Sequence, residues 1–322
     1  MWIAKPINAL SAQEKQQWVR IAEGGLPLSQ TLRWAQAATS VGARAWLIFS
    51  PDEKVGGTVL ELGEPGVLEC INGPFLDWEN ADQISRQIAT FAISASKVSP
   101  SFRSLRLLPR WNLEKAENLL KYVPIPPKAS VEASTMIVTL NENENQLFEK
   151  FHPRLKRTLK TAIKEKASAE WCTPTQDQIL SFVDSMKEFA KGRSFYVPNL
   201  KWFHQILTDS VETEKVEFGL VKSQIQDGQA YAEILICIFG NMAHYLFGWE
   251  KRSLAARAAW SPSAWAHYRA MLEVRARGAV YYDFNGYIKN VALDDPYAGV
   301  CKFKEQWGGK VETFFQPEYF IE

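Results

Sequence analysis

The sequence predicts an α/β protein of the α+β type, a duplicated unit in which helices flank a mostly antiparallel sheet. Two observations carry this. One succession of elements (helices, three strands, a helix, a strand, a helix) runs twice along the 322 residues, with little residue identity between the passes. A proline-rich stretch, VPIPPKAS at Val123–Ser130, falls between them and reads as a stiff, extended connector. The expected domains are therefore residues 1–127 and 128–310, the second holding the site, with the tail 311–322 placed to pack back on the first.

In the first pass, Met1–Pro6 reads as an edge strand. Ser11 and Glu14 form an S-x-x-E capping box for a helix through about Glu23, and Gly24-Gly25 stops it. LPLSQTLRWAQAATSVG gives a second helix with Leu32, Ala35, Gln36 and Thr39 on one face, closed by Gly42. ARAWLIFS, VGGTVLELG and GVLECINGPFLDW read as strands in antiparallel succession. Asp77–Val98 is a turn and an amphipathic helix, with Ile84, Ile88, Phe91 and Ala95 at helical spacing. SLRLLPR is a strand and NLEKAENLLKYV a helix.

The second pass opens with the strand MIVTL and the helix HPRLKRTLKTAIKEK, which has Pro153 in its first turn. Helices over about Gln176–Lys191 and Leu200–Val211 bracket the loop GRSFYVPN. KVEFGLVKSQ, AYAEILICIFG and MAHYLFGWE are strands. A polar loop, Lys251–Trp260, leads to a helix capped by Ser261 with Pro262 behind it, and Gly278 ends that helix.

Hydrophobic content of 46% and charged content of 23% are those of a soluble globular protein with a sizeable core. Net charge is only +1, so nucleic-acid binding requires a local patch. The four cysteines, Cys70, Cys172, Cys237 and Cys301, form no CxxC pair, which fits reduced thiols and neither a zinc site nor a disulfide framework. The histidines form no HxxxH pair, so no metal is expected. The N-terminus is too polar for a signal peptide and no apolar run approaches membrane-spanning length. The expectation is a cytoplasmic protein, free to touch a lipid-linked substrate peripherally.

The chemistry concentrates in Gly278–Lys310. Alternation puts Val280, Tyr282 and Phe284 on one strand face and Asp283 and Asn285 on the other. In the following helix Val300, Phe303 and Trp307 form an apolar stripe with Lys304 on its edge, while Lys302 points to water. A lysine there either snorkels outward or is held where its charge is wanted. A second feature is basic: Lys150–Lys166 holds seven Lys/Arg against one acid, Glu165. Arg154, Lys156, Arg157, Lys160 and Lys164 fall within about 160° of the helix wheel, opposite Leu155, Leu159, Ala162 and Ile163. That face suits RNA phosphates, and a merely solvated face fits it as well. The aromatic residues Phe195, Tyr196 and Trp202 are available to stack on a base or to fill core. Third, Lys251, Arg252 and Arg257 precede the helix start at Ser261–Pro262, a combination that makes an anion site.

Several of these stretches resemble the FemABX family of aminoacyl-tRNA-dependent transferases, which build peptidoglycan interpeptide bridges. SQTLRW and INGPFLDW resemble two patterns of its first half, TMIVTL followed by RLKRTLKTAIKEK the opening of its second, and YYDFNGYI through FKEQWGG its C-terminal signature. The resemblance implies tandem GNAT-like (acyl-CoA N-acyltransferase) domains, in a compact form without the long helical arm. It implies that Lys304 steadies charge on the aminoacyl ester and that Asp283 orients or deprotonates the amine. It implies a substrate groove drawn from Phe303, Asn285, Tyr245, Phe247, Trp202, Arg193 and Trp34, and a tRNA or phosphate surface formed by the five basic helix residues with Arg252 and Arg257. No cofactor is implied beyond the donor, aminoacyl-tRNA, and the acceptor is the amine of a cell-wall precursor. The chain departs from compact members where they grip a nucleotide pyrophosphate, having Gln36 and Ala38 at one place and Tyr196 and Val197 at another. An N-acyltransferase of the same fold using an acyl-CoA or acyl-carrier thioester, in envelope or exopolysaccharide synthesis, is the alternative, although the R/Q-x-x-G-x-G/A loop that wraps coenzyme A is absent. A non-catalytic binding module is the other.

Overall fold

A computed structural model describes residues 2–23, 27–52, 54–77, 81–109, 111–112, 129–141, 143–191, 197, 199–208, 216–224, 230–251 and 259–319. The chain divides into two units: residues 1–133, 201–215 and 313–322, and residues 134–200 and 216–312.

In the first unit, strand β1 (Ile3–Pro6) pairs with β2 (Arg44–Phe49), β2 with β3 (Gly56–Glu61) and β3 with β4 (Val67–Ile71), all antiparallel. Strand β5 (Ser104–Leu108) then joins β4 in parallel, and β13 (Lys310–Tyr319) joins β5 antiparallel, with Glu318 opposite Arg106. The two-residue strand β6 (Trp111–Asn112) pairs with β13. Helix α1 (Ala12–Glu23) starts at the expected capping box: the Glu14 carboxylate accepts from Ser11 N at 2.8 Å, and Glu14 N donates to Ser11 Oγ at 3.2 Å. Helix α2 (Leu32–Ser40) begins later than the sequence suggests, because Leu28–Gln30 form a 3-10 turn and Thr31 caps the helix. Helix α3 (Ala81–Ser96) buries Ile84, Ile88, Phe91 and Ala95 as its spacing requires.

The SQTLRW and INGPFLDW stretches meet in this unit as one buried polar knot. Gln30, with no exposed surface, accepts from Thr58 N at 2.8 Å and donates to the Ile71 carbonyl at 2.6 Å. Asn72 Nδ2 donates to Ser29 Oγ at 2.8 Å, and Trp18 Nε1 to the Gln30 carbonyl at 2.9 Å. Buried polar groups persist only when satisfied in this way, so these motif residues hold the fold.

In the second unit, β8 (Ser168–Cys172), β9 (Val216–Gln224), β10 (Ala230–Phe239) and β11 (Met242–Glu250) run antiparallel. Strand β12 (Tyr281–Asp283) lies parallel to β11, and β7 (Ala129–Thr139) lies antiparallel to β12. Each unit thus repeats four antiparallel strands, a helix, a parallel strand and, beside it in the sheet, an antiparallel one, which is the duplication expected. Helices α4 (Glu144–Glu149), α5 (Pro153–Lys164) and α8 (Pro262–Ala276) contribute Leu147, Leu155, Leu159, Ala266 and Met271 to one core with Ile234, Ile236 and Tyr282. Helix α6 (Gln176–Ala190) contacts β11. Helix α7 (Leu200–Thr208) belongs largely to the first unit although it falls inside the second in sequence: Trp202 packs edge-on against Trp34 at 5.1 Å. Helix α9 (Ala298–Glu305) closes the series.

Strand β8, helix α4 and strand β13 are not evident in the sequence. The first is a polar edge strand, the second has only six residues and rests on an Asn143–Gln146 capping box, and the third carries Pro317. The anticipated helix beyond Asn112, the connector through Lys128 and most of GRSFYVPN lie outside the described residues. No described helix is long and apolar enough to cross a membrane.

Candidate functional site

Strand β12 is short because the chain leaves its ladder just beyond Asp283. Asp283 pairs with Ile137, and the next pairing with β7 is Tyr287 with Ser134, so four steps on one strand match three on the other. That one-residue excess is a bulge, and the left-handed backbone it requires falls on Asn285 (φ 49°) and Gly286 (φ 37°). Asparagine tolerates this geometry when its side chain is bonded locally. Here Asn285 Nδ2 donates to the Tyr245 carbonyl at 2.7 Å and Asn285 N to Asp283 Oδ1 at 2.8 Å.

Asp283 itself has no exposed surface. The Thr135 hydroxyl also donates to Oδ1, and His244 Nδ1 lies 3.3 Å from Oδ2. A carboxylate only accepts, so that histidine nitrogen carries the proton. Asp283 thus lies beneath the surface, where its carboxylate accepts from the Thr135 hydroxyl and the Asn285 amide and faces His244.

The helix bearing Lys304 also sits differently from the expected stripe. Ala298, Cys301, Lys304 and Trp307 are its buried line, Val300 is 44% exposed and Phe303 is half-buried. Lys304 is thus central to the buried side at 5% exposure, and it does not snorkel. Its Nζ donates to the carbonyls of Asn285 and Gly286, the two bulge residues. Among the described residues its third N–H has no partner. Burial pulls its pKa from 10.5 down to about 8, opposed by Cys301 and Asp283, so the ammonium form still dominates at neutral pH.

His267, which carries no signal in the sequence, lines the same place. Its ring lies 4.7 Å from Tyr245, 5.0 Å from Phe284, 5.5 Å from Phe303 and 5.9 Å from Trp307. Its Nδ1 is 2.7 Å from the Tyr282 hydroxyl. Burial, then the Lys304 charge, lowers its pKa to about 3, so it is neutral. Burial likewise holds the Tyr245 hydroxyl above the usual phenol range. Thr135 and His244 are equally silent in sequence. His244 stands in an alternating strand with no metal-type spacing, and Thr135 in a strand where threonine is unremarkable.

The basic helix α5 is capped by His152 and starts with Pro153. Lys156, Arg157, Lys160, Thr161 and Lys164 line an open groove of about 490 Å³ along it. Arg154 is exposed outside that groove lining. Lys156 is paired with Glu149 at 2.6 Å. Ile163 is 53% exposed, contrary to its expected place on the apolar arc. Seven residues after Lys156, it returns to about 20° from that lysine on the wheel, on the groove side of the helix. The helix is tied to the end of the Lys304 helix: His152 N donates to the Gln306 carbonyl at 2.8 Å, and Phe151 packs on Trp307 at 5.2 Å.

At the Ser261–Pro262 helix start an internal carboxylate meets the helix end. The Glu250 carboxylate accepts from Ser263 N at 3.1 Å and Ser263 Oγ at 2.7 Å, while Ser261 Oγ accepts from Ala264 N at 3.2 Å. Exposed helix N–H groups attract anions, and here the chain supplies its own. Arg252 and Arg257 lie outside the described residues, as does Arg193. Trp34 and Trp202 are brought together in the first unit, and Tyr245 and Phe247 are half-buried on β11. No group of three or more His, Cys, Asp or Glu among the described residues is arranged to hold a metal.

No family model matches this chain, and no curated protein matches it in sequence. Solved structures do match in fold. FemX is similar over 99% of this chain and 97% of its own, with a TM-score of 0.76 at 16% identity. L-PGS from Bacillus licheniformis is similar over 96% and 91%, with a TM-score of 0.59 at 11% identity. A tandem GNAT protein from the clavulanic acid biosynthesis pathway is similar over 99% and 98%, with a TM-score of 0.55 at 9% identity. The chain therefore has a tandem GNAT-like fold.

Proposed function

We propose that this protein is an aminoacyltransferase that moves an amino acid from aminoacyl-tRNA to the amine of a peptidoglycan precursor peptide. The observation that carries the reading is Lys304: a buried ammonium, fixed by two carbonyls, with one N–H left for an oxygen that gains charge. In the transfer, the amine attacks the ester carbonyl and a C–N bond forms. The ester C–O bond then breaks, and the proton lost by the amine goes to the departing ribose oxygen. An ammonium preorganised in a dry site stabilises the intermediate oxyanion by about 3 kcal/mol. Positioning of the two reactants supplies much of the remainder. No covalent enzyme intermediate is needed. The groove along α5 gives the donor's phosphates a cationic surface within the same unit.

A thioester donor is the second reading, favoured by the fold shared with a tandem GNAT protein. The Glu250 carboxylate on the α8 N-terminus opposes it, because a phosphate-bearing cofactor would find those donors taken.

The test is tRNA binding across a salt series. Binding should weaken steeply as salt rises, and the combined changes Lys156→Glu, Lys160→Glu and Lys164→Glu should abolish it and flatten the slope. Salt-insensitive or absent binding sinks the tRNA reading. Stabilisation by an acyl-CoA in place of tRNA supports the thioester reading, and no turnover with either donor leaves a binding module.

A further inference from the structure

We propose that Thr135 and His244 are positioning residues for Lys304, acting through Asp283 and the Asn285–Gly286 bulge. The proposal rests on the reading of Lys304 given above, and its geometry is local. Thr135 is 2% exposed, His244 6% and Asp283 not at all. What they meet is one another. Thr135 stands on β7, His244 on β11 and Asp283 on β12 between them, so the carboxylate is clamped from both neighbouring strands.

The clamp has one output. Asp283 Oδ1 receives the amide of Asn285, two residues on, and that bond holds Asn285 in its left-handed conformation. On either side of the bulge the backbone is fixed to β7: Phe284 N donates to the Met136 carbonyl at 2.9 Å and Tyr287 N to the Ser134 carbonyl at 2.7 Å. The carbonyls of Asn285 and Gly286 are thereby turned toward Lys304, whose ammonium they hold. A lysine has a flexible stem of four carbons and takes its geometry from its acceptors. Were the carboxylate free to swing, the two carbonyls would lose their fixed direction and the ammonium its place. His244 and Thr135 hold the Asp283 carboxylate from both sides and restrain that movement. Tyr282 and His267 are hydrogen-bonded to each other on the other side of the strand and take no part in the clamp.

The experiment labels lysines by reductive methylation with formaldehyde and cyanoborohydride, followed by mass spectrometry of the Lys304 peptide, with exposed Lys302 as internal reference. Wild-type Lys304 should label slowly. Thr135→Val and His244→Phe should each raise its rate roughly tenfold or more relative to Lys302, as expected on losing a buried bond to a charged group. Thr135→Ser keeps the hydroxyl and should stay at the wild-type rate. Tyr282→Phe should also leave the rate unchanged, which separates the clamp from general loosening. If Thr135→Val does not fold, His244→Phe gives the same reading from the other strand. Folded variants that label at the wild-type rate overturn the proposal, as does an equal rise in Tyr282→Phe. The readout needs no turnover, so the clamp stands or falls by labelling even if the protein proves not to be a transferase.

Discussion

Removing the charge at residue 304 gives the most direct energetic test. Lys304 is 5% exposed and its pKa falls from 10.5 to about 8, chiefly through burial. At about 1.36 kcal/mol per unit, keeping that ammonium buried at neutral pH costs about 3 kcal/mol. The sign follows from proton counting. Between pH 8 and 10.5 the unfolded chain binds this proton more tightly than the folded one does, so stability rises with pH across that window. Above 10.5 the cost is gone, and below 8 it is borne in full. In urea titrations from pH 7 to 10.5, wild type should therefore gain about 3 kcal/mol relative to Lys304→Met, whose methionine has nothing to titrate. Cysteine and tyrosine ionisations common to both proteins cancel in the difference. A difference that stays flat across the window would show that the lysine is solvated, and the case for a buried ammonium would fall with it.

The other predictions follow the same geometry. His267 is held neutral with a pKa near 3 against an ordinary 6.5, so stability should fall as pH drops below 6.5, by up to about 5 kcal/mol at pH 3, and His267→Gln should flatten that slope in pH-dependent melting. Loss of the Lys304 ammonium above about pH 8 should add a falling limb to the pH profile of kcat/KM, on top of the rise from deprotonation of the acceptor amine, and Lys304→Met should lack that limb. Glu250→Ala should free the α8 N-terminus, so that pyrophosphate raises the variant's melting temperature and leaves wild type unmoved; equal responses would refute the internal-anion assignment. Gly308→Ala should cost roughly 1–3 kcal/mol in chemical denaturation, because Gly308 has φ 66° and a Cβ would lie 2.5 Å from the Lys150 carbonyl.

The repeated architecture was legible because it rests on local signals. The Ser11 and Ser261 caps, the spacing of Ile84 through Ala95 and the Gly278 stop each act within a turn or two of chain. The site was half legible. Lys304 stood out because a charge on the inner side of an eight-residue helix is anomalous in sequence. Its surroundings could not be seen, since they depend on register. Thr135 is 148 residues from Asp283, and His244 is 39 away. They meet only because β7 and β11 flank β12, a pairing that periodicity does not encode. The Glu250 contact beside Ser261–Pro262 was hidden for the same reason. The sequence displays a helix start with basic residues before it, while the carboxylate that occupies it comes from the end of a strand, 13 residues earlier than Ser263.

The wrongly placed stripe on the Lys304 helix shows how a buried lysine hides in an apolar pattern. A reading by hydrophobicity gives the buried side to Val300 and Phe303 and pushes the lysine to the edge. The structure exposes Val300 and gives the buried side to Ala298, Cys301 and Lys304. Burying Val300 instead would have gained roughly 1.5–3 kcal/mol and spared the cost of a buried charge. That preference is overridden at one position, by two backbone carbonyls that a left-handed bulge turns toward the ammonium. Carbonyls can orient a cation without neutralising it, so Lys304 keeps its positive field where a carboxylate partner would have cancelled it. The Asp283 carboxylate accepts from Thr135 and the Asn285 amide and faces His244. A buried cation held by neutral acceptors beside a committed anion contributes poorly to stability and well to stabilising an oxyanion, which is why the proposed function is built on this residue.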